Sequence, residues 1–404
     1  MSDVISASEL GGAPAHYDAI VIGAGSIGTP AAMSLAEAGM RVLVLDERPS
    51  VGLGSNKSAV GGARATRSDP AKIRLNLRSN QILAAWKERC GDDIEWKRGG
   101  YMFPVYREQD EKTLNDLLAV ERSLGLDIQW LDARSILEVA PDLYPVDLRG
   151  GAYSPDDGRC SPLLTLRAFY ERAKRLGAEF HFDERVTGVK AVSGRVRGVT
   201  TDRTRYGADV VINAAGAWAR SIAGLSGIDL PVLHDEHEAG ITEPVAHFLD
   251  PLVVDIRPGP GSANCYFFQH KTGEVIFCVT PSPPRSSDGT RDDMRDDTRK
   301  NRAFLPTASR RLLALMPRLG ALRVRQTWRR LHPRTPDGSP IVGWARELTG
   351  YLIAAGMCGH GFMLGPGLGE LIARVALGSA GPDDADLLAR MSPERPFEGQ
   401  ERLR

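Results

Sequence analysis

The stretch GAGSIG has the glycine spacing of a phosphate-binding turn. Gly23, Gly25 and Gly28 follow the pattern GxGxxG between a short apolar run and an alanine-rich segment. In such a turn the first glycine permits a tight bend, the second lets the backbone approach a pyrophosphate, and the third lets helix and strand pack closely. The free N–H groups and the partial positive charge of the following helix then face the phosphates. The stretch therefore predicts a dinucleotide-binding site.

An acidic residue completes this pattern. Asp46 ends the run RVLVLDE, which predicts a second buried strand after the helix. A carboxylate at the end of that strand accepts hydrogen bonds from an adenosine ribose with a free 2′-hydroxyl group. The acid favours FAD or NAD over NADP, and the position of the motif decides between FAD and NAD only in part.

A second glycine-rich stretch, AAGMCGHGFMLGPGLGE, contains His360 and runs from Ala354 to Glu370. Each interior glycine costs a helix about 0.5–1 kcal/mol relative to alanine, so a plain helix does not account for the composition. Two readings remain: two packed elements cross here, or the backbone lies against a ligand.

Alternating strands and helices must position these two stretches. The segments YDAIVIG, RVLVLDE, GADVVINAAGAWA and YLIAAG predict buried strands, and the segments TPAAMSLAEAGM and GPGLGELIARVALG predict helices. Because such strands occur early, midway and late, we predict an α/β protein with one Rossmann-type domain of discontinuous chain and a second, α+β domain with a mixed or antiparallel sheet. The expected bounds are 16–95, 151–225 and 321–380 for the cofactor domain, 96–150 and 226–320 for the substrate domain, and 1–15 and 381–404 for tails.

Composition argues against several other functions. The 404 residues include 51 basic and 51 acidic ones, so no global field attracts nucleic acid or an anionic membrane. The 5 cysteines are scattered and never form CxxC, which argues against a metal site or a disulfide framework and fits a reducing cytoplasm. No apolar run approaches the ~18 residues of a membrane span, and the first residues lack a secretory signal. We therefore expect a cytoplasmic protein with no membrane span.

Four ordered motifs resemble the FAD-dependent amine and amino-acid oxidoreductases, a family that includes glycine oxidase, sarcosine oxidase and D-amino-acid oxidase-like proteins. The resemblance covers the chain from about Tyr17 to Gly378 and rests on YDAIVIGAGSIG…VLVLDE, SNKSAVGGARATRSDPAKIRLNLRSNQIL, GADVVINAAGAWA and WRRLHPRTPDGSPIVG…YLIAAGMCGHGFMLGPGLGELIA. It implies that the second glycine stretch lies against a flavin ring. The helix that starts there would direct N–H groups at the flavin edge that becomes negative on reduction.

The resemblance also implies the reaction and the cofactor contacts. A hydride would pass from the carbon beside an amine to flavin N5, and water would hydrolyse the resulting imine. The expected substrate is an amino acid or secondary amine, above all an N-substituted glycine, with O2 or another acceptor reoxidising the flavin. FAD is expected to be noncovalent and to contact Gly23, Gly25, Ser26, Ile27, Gly28, Asp46, Glu47, Ser58, Gly62, Ala63, Arg64, Val186, Ala214, Ala215, Gly216, Trp218, Gly359, His360, Gly361, Phe362 and Met363.

Four residues are expected to take part in catalysis: His360, Arg64, Arg330 and Tyr266. His360 would tune the flavin or contact the substrate; a structural histidine in a turn is the alternative. Arg64 would lie beside the flavin, where a guanidinium stabilises the reduced anion. Tyr266 belongs to the alternating stretch ANCYFFQH, where relatives place a tyrosine near the substrate and sheet packing is the alternative.

The chain departs from its relatives at the residues that anchor a substrate carboxylate. His332 stands where glycine oxidase-like members carry arginine, and Met363 stands where sarcosine oxidase-like members carry lysine. Arg329, Arg330 and Arg334 are nearby substitutes, and since alternation on a strand keeps them from all pointing inward, Arg330 is the one predicted. Ile276 replaces a lysine that helps oxygen react in sarcosine oxidase-like members, so the electron acceptor stays open.

Two further functions stay open. One is a flavin dehydrogenase for proline-like or opine substrates that uses an acceptor other than O2. The other is a noncatalytic, FAD-bearing assembly protein. The expected partners are a small-molecule amine or amino acid and an electron acceptor, without nucleic acid, and a homo-oligomer is left open.

Overall fold

The structure, a computed structural model, describes residues 15–282, 286–287, 304–399 and 401–403. Its strands in chain order are β1 (His16–Ile22), β2 (Val42–Leu45), β3 (Gly62–Ala63), β4 (Lys97–Arg98), β5 (Tyr101–Val105), β6 (Gln129–Asp132), β7 (Gly150–Ser154), β8 (Gly158–Arg159), β9 (Glu179–His181), β10 (Val186–Val192), β11 (Arg195–Thr201), β12 (Arg205–Asn213), β13 (Leu233–Thr242), β14 (Leu252–Asp255), β15 (Ser262–Gln269), β16 (Val275–Pro281), β17 (Ser286–Ser287), β18 (Val324–Arg334), β19 (Ile341–Trp344) and β20 (Tyr351–Ala355). Its α-helices are α1 (Gly28–Glu37), α2 (Pro70–Ala84), α3 (Trp86–Cys90), α4 (Glu108–Ser123), α5 (Ala133–Val139), α6 (Pro162–Arg175), α7 (Ala219–Gly224), α8 (Phe304–Leu315), α9 (Gly361–Ala376) and α10 (Pro382–Met391).

The first sheet is built from pieces that are far apart in the chain. Its order is β10-β11-β12-β1-β2-β9, with β20 beside β12 and β19 beside β20. The strands β9, β2, β1, β12 and β20 are parallel, as expected for strands joined by helical crossovers. Every residue of β2 and β20 is buried, because helices including α1 and α9 cover one face, and α7 with the strands β10 and β11 covers the other. The predicted Rossmann-type domain of discontinuous chain is confirmed.

The second sheet is mostly antiparallel. Its order is β17-β13-β16-β15-β14-β5-β7-β6, with β18 beside β13. Only the pair β14–β5 runs parallel among its pairings in the described part of the chain. Phe267 and Phe277 lie on one face of this sheet in a core that also contains Phe304 of α8. This is the mixed sheet expected for the second domain.

Two strands and the C-terminal segment differ from the predicted domain bounds. β18, inside the predicted cofactor piece 321–380, pairs with β13 along ten residue partners and so belongs to the second sheet. β7, at the start of the piece 151–225, pairs with β5 and β6. Residues 381–404, predicted as a tail, contain helix α10 and the buried residues Glu401 and Leu403. Residues 1–14, in the other predicted tail, lie outside the described part.

The crossing of α1 and α9 explains part of the second glycine stretch. A Cβ atom on Gly365 would lie 1.9 Å from the carbonyl oxygen of Ser26, and one on Gly369 would lie 2.7 Å from the carbonyl carbon of Pro30. Only glycine therefore allows the two helices to come this close. The turn before α9 has a different reason for glycine, since Gly356 and Gly359 have φ angles of +66° and +80°.

Within the described ranges, none of the helices combines the length and the apolar character that crossing a membrane would require.

Candidate active site

A cavity of about 850 Å³ is lined by residues of both sheets. At one end lie the turn after β1, the end of β2 and the residues after β12. At the other end lie side chains of β13, β15, β16 and β18. The residues before and at the start of α9 lie on its wall as well. The cavity therefore runs from the carboxyl edge of the parallel strands to the face of the second sheet, the usual place of a ligand in an α/β fold.

The turn after β1 has the shape that a pyrophosphate requires. Gly23 has a φ of +107°, and a Cβ atom there would lie 2.6 Å from the carbonyl oxygen of Ala214. A Cβ atom on Gly28 would lie 1.9 Å from the carbonyl oxygen of Gly23, whereas one on Gly25 would meet nothing within 4 Å. Gly25 lines the cavity and Gly28 does not. The first and third glycines thus permit close packing, and the second leaves room for a ligand.

Side chains around this turn hold it in place. The N–H groups of Ala24 and Arg48 donate to the carboxylate of Asp46 at 2.7 and 2.9 Å. The hydroxyl of Ser26 donates to Oδ1 of Asn56 at 2.7 Å. Burial is the main cause of the raised pKa of Asp46, and the two N–H groups oppose it. Asp46 is therefore a structural acceptor of the turn as well as a candidate ribose ligand.

The start of α9 faces the middle of the cavity. Gly359, His360, Gly361, Phe362 and Met363 all line it. The first N–H groups of a helix lack partners within the helix and carry partial positive charge, so they suit an electron-rich ligand edge. His360 is 9 % exposed, and its Nδ1 atom has no hydrogen-bond partner in the described part of the protein. Burial, reinforced by Arg67, holds the pKa of His360 well below its usual range, so the imidazole is neutral at pH 7.

Arg64 and Arg67 lie on the cavity wall beside α9, and we call them the arginine pair. Both are buried and both line the cavity. Arg64 donates through Nη1 to the carbonyl of Thr66 at 2.8 Å, and its guanidinium lies 5.4 Å from the ring centre of Phe103. Arg67 donates through Nη2 to the sulfur of Met363 at 2.9 Å. Burial and then Arg64 lower the pKa of Arg67 to about 9, so it remains a cation at pH 7.

A buried ion pair lies next to the arginine pair. Nζ of Lys72 is 3.2 Å from Oε2 of Glu401, and these side chains are 0% and 1% exposed. Burial alone would raise the pKa of Glu401, but Lys72, Arg67 and hydrogen bonds from Ser68 outweigh it and lower the pKa to about 2. Glu401 itself lines the cavity.

The opposite wall is made by the second sheet. Tyr266 lies on β15 and pairs in register with Cys278 on β16, and both line the cavity with Tyr101, Leu252 and Val254. Burial raises the pKa of Tyr266 well above 10, so the phenol stays protonated. This wall combines apolar side chains with neutral hydroxyl groups.

A pair of imidazoles lies near the turn before α9. The rings of His237 and His332 have centroids 4.1 Å apart, and both residues line the cavity. Burial and then His237 lower the pKa of His332 well below its usual range. A Cβ atom on Gly359 would lie 3.0 Å from Nδ1 of His332. His332 is therefore a neutral imidazole, and it stands at the position where this sequence lacks the arginine that would anchor a substrate carboxylate.

Most of the residues predicted for the site lie on this one cavity. They are Gly23, Gly25, Ser26, Ile27, Asp46, Glu47, Ser58, Gly62, Arg64, Val186, Ala214, Ala215, Gly216, Trp218, Tyr266, Gly359, His360, Gly361, Phe362 and Met363. Gly28 and Ala63 lie behind the wall: Gly28 packs against Gly23, and Ala63 belongs to a hydrophobic cluster with Phe169. The side chain of Arg330 lies outside the described part of the structure.

Sequence reasoning did not single out several residues of this cavity. Asn56 stands inside the second motif without a role assigned to it, and Glu401 and His237 come from segments that none of the four motifs includes. Arg67 belongs with Arg64 to the GGARATR part of the second motif, which matches the family's Arg-x-x-Arg next to the flavin, and an ordinary salt bridge was the alternative for Arg67. In the described structure it instead donates to a backbone carbonyl and a thioether.

A parallel sheet with a phosphate turn, joined to a second sheet across one shared cavity, is the architecture of a two-domain dinucleotide-binding oxidoreductase. Comparison with known proteins identifies the family. A family model described as FAD dependent oxidoreductase matches residues 18–375, and the chain belongs to this family.

Known relatives agree with this assignment. Glycine oxidase of Bacillus licheniformis is 26% identical over 90% of this chain and 94% of its own. Hydrogen cyanide synthase subunit HcnC of Pseudomonas aeruginosa is 26% identical over 94% of this chain and 97% of its own. The crystal structure of L-proline dehydrogenase from P. horikoshii superposes with a TM-score of 0.86 at 27% identity, covering 95% of this chain and 98% of that one. The protein is thus an FAD-dependent amine or amino-acid oxidoreductase, as the sequence motifs predicted.

Proposed function

We propose that the protein oxidises the C–N bond of a secondary amino acid, an N-substituted glycine above all, and passes the electrons to O2 with release of H2O2. The observation that carries this proposal is a buried cation on the cavity wall with an unused hydrogen-bond donor. That cation is Arg67.

Arg67 is suited to a substrate carboxylate. Its side chain is 0% exposed, and its Nε atom has no hydrogen-bond partner among the described residues. A buried charged donor without a partner costs free energy, which an anionic ligand would recover. Since the family's usual anchors are replaced by His332 and Met363, we assign the carboxylate to Arg67 in preference to Arg330.

The tyrosine wall would select the rest of the substrate. Tyr266 and Tyr101 offer neutral hydroxyl groups, and Leu252 and Val254 offer apolar surface. A wall of this kind excludes water and accepts an alkyl group on nitrogen more readily than a second charge. It therefore favours a small secondary amine with one carboxylate.

The cofactor would lie between the phosphate turn and the start of α9. Gly25 leaves room for the pyrophosphate, and Asp46 would hold the ribose. When bound, FAD supplies the hydride acceptor. The N–H groups at the start of α9 and the cation of Arg64 would stabilise negative charge at the flavin edge, and neutral His360 would accept or donate one hydrogen bond there.

A second candidate is a dehydrogenase for a cyclic secondary amino acid. The structural similarity to L-proline dehydrogenase favours it, and Ile276 supplies no cation to assist oxygen. Both candidates bind the same kind of amino acid and differ in the final electron acceptor.

Anaerobic flavin reduction tests the proposal. The purified yellow protein would be mixed with sarcosine, N-ethylglycine, L-proline, D-proline, glycine or D-alanine, and loss of the flavin absorbance would be followed. We expect N-alkylglycines to bleach the flavin fastest and air to restore it with release of H2O2. Fastest bleaching by a proline, with slow recovery in air, would support the second candidate, and no bleaching by any secondary amino acid would contradict both.

A further inference from the structure

The C-terminal residues Glu401–Leu403 reach the cavity from behind the arginine pair. Nη2 of Arg64 and Nη1 of Arg67 both donate to the carbonyl oxygen of Leu403, at 2.8 and 2.9 Å. Leu403 is 1% exposed and packs in the same cluster as Phe103. One peptide oxygen therefore sets the distance between two guanidinium groups that would otherwise repel each other.

Glu401 holds the backbone of Leu403 in place. Its Oε1 atom accepts from the N–H and the hydroxyl of Ser68, at 2.8 and 2.5 Å, and from the N–H of Leu403 at 3.1 Å. The hydroxyl of Ser68 in turn accepts from the N–H of Arg402 at 2.9 Å. The segment is thus tied by side-chain hydrogen bonds to the residue that follows Arg67.

The charges of this region also depend on Glu401. Arg64, Arg67 and Lys72 are three buried cations, and Asp157, Glu121 and Glu401 are buried carboxyl groups near them. Burial raises the pKa of Glu121 to about 8, so this group is mostly protonated at pH 7. Asp157 is occupied by the N–H of Ala65 at 2.9 Å and the hydroxyl of Thr66 at 3.1 Å. Lys72 has Glu401 at 3.2 Å. With Lys72 neutralised by Glu401, the positive charge that faces the cavity is that of the arginine pair.

We infer that Glu401 and Leu403 are positioning residues, which hold the arginine pair in the geometry that binds a substrate carboxylate and the reduced flavin. The part of this inference that concerns the substrate carboxylate rests on the proposed function, whereas the part that concerns the flavin does not. Glu401 acts through its Oε1 atom on the N–H of Leu403, and the carbonyl oxygen of the same residue acts on both guanidinium groups.

Two double variants separate this role from a role in stability alone. Lys72→Met/Glu401→Leu replaces the ion pair by apolar groups, and Lys72→Met/Glu401→Gln does the same while keeping an oxygen at the position of Oε1. Both variants remove one positive and one negative charge, so neither leaves an unpaired buried ion. Proteins tolerate the replacement of a whole buried ion pair well. Glu398→Gln neutralises an exposed carboxylate of the same segment and is the control.

The readouts are the dissociation constant for acetate, followed by flavin absorbance, and the midpoint potential of bound FAD, measured against a reference dye. We expect the leucine variant to bind acetate about tenfold more weakly, as for loss of one hydrogen bond to a charged group. We also expect its midpoint potential to be more negative. The glutamine double variant and Glu398→Gln should stay close to the wild type in both acetate affinity and midpoint potential.

Equal acetate affinity and equal potential in the two double variants would overturn the inference, because only the Oε1 acceptor distinguishes them. If wild-type protein binds no acetate, the proposed carboxylate recognition fails, and the midpoint potentials alone decide whether Glu401 positions the arginine pair.

Discussion

Replacement of Gly365 by alanine is the most direct test of how the cofactor turn is built. Gly365 is buried in α9, and a Cβ atom there would lie 1.9 Å from the carbonyl oxygen of Ser26. Ser26 belongs to the phosphate turn, so a side chain on α9 would push directly on the cofactor site. The neighbouring atom is backbone, which cannot rotate away as a flexible side chain would.

The expected magnitude is the balance of two opposing effects. Alanine in a helix interior is favoured over glycine by about 1 kcal/mol. Extra atoms in a packed interior cost about 1–3 kcal/mol, and a contact to backbone lies at the upper end. The net loss is therefore about 2 kcal/mol, which is about a 30-fold loss of FAD affinity if all of it falls on the cofactor turn.

Thermal unfolding of the apoprotein and fluorescence titration with FAD measure the two parts of this loss. Gly224→Ala is the matched control, because Gly224 ends α7, is exposed and has nothing within 4 Å of a Cβ atom. The control should be as stable as the wild type or slightly more so. If Gly365→Ala matches Gly224→Ala in both measurements, the α1–α9 crossing does not constrain the cofactor turn.

Three further outcomes are expected. Asp46→Ala should lower FAD affinity at least about tenfold, since it removes the ribose acceptor and frees two N–H groups of the turn; equilibrium dialysis measures this. His360→Ala should slow anaerobic flavin reduction more than it weakens FAD binding, and unchanged stopped-flow rates would remove His360 from the site. Because the pKa of Glu401 falls from 4.5 to about 2 on folding, the carboxylate stabilises the protein fully above pH 4.5 and progressively less down to pH 2, on the order of 3 kcal/mol in total. The unfolding free energy of Lys72→Met/Glu401→Gln should depend less on pH over that window.

Local patterns were enough to predict the cofactor half of the fold. The GxGxxG turn, the acid at the end of β2 and the apolar runs of β12 and β20 each depend on residues that are neighbours in the chain, and the sheet they build is the predicted one. The same patterns could not separate a ligand contact from a helix crossing in the second glycine stretch. Gly365 meets the phosphate turn at Ser26 and Gly369 meets α1 at Pro30, whereas Gly359 lies on the cavity.

The substrate half was harder to predict, because it depends on contacts between distant residues. Arg67 and Leu403 are 336 positions apart, and no pattern within either segment points to the other. The pairing of β18 with β13 likewise joins separate parts of the chain. It makes β18 part of the second sheet, although its residues lie within the bounds predicted for the cofactor domain. Burial of Glu401 was missed because an acidic residue among polar neighbours ordinarily predicts an exposed segment.

The place of β20 in the parallel sheet has a consequence for biosynthesis. Residues 351–376 supply both the strand beside β12 and the helix that packs on α1, so they complete the core around the phosphate turn. A ribosome delivers these residues last among the sheet strands, and until then residues 211–213 of β12 lack the partner that β20 supplies, although β11 and β1 already flank the rest of the strand. The nascent chain therefore exposes an apolar strand end until these residues emerge, so a chaperone would act before that point, whereas abundant FAD would stabilise the chain only after it.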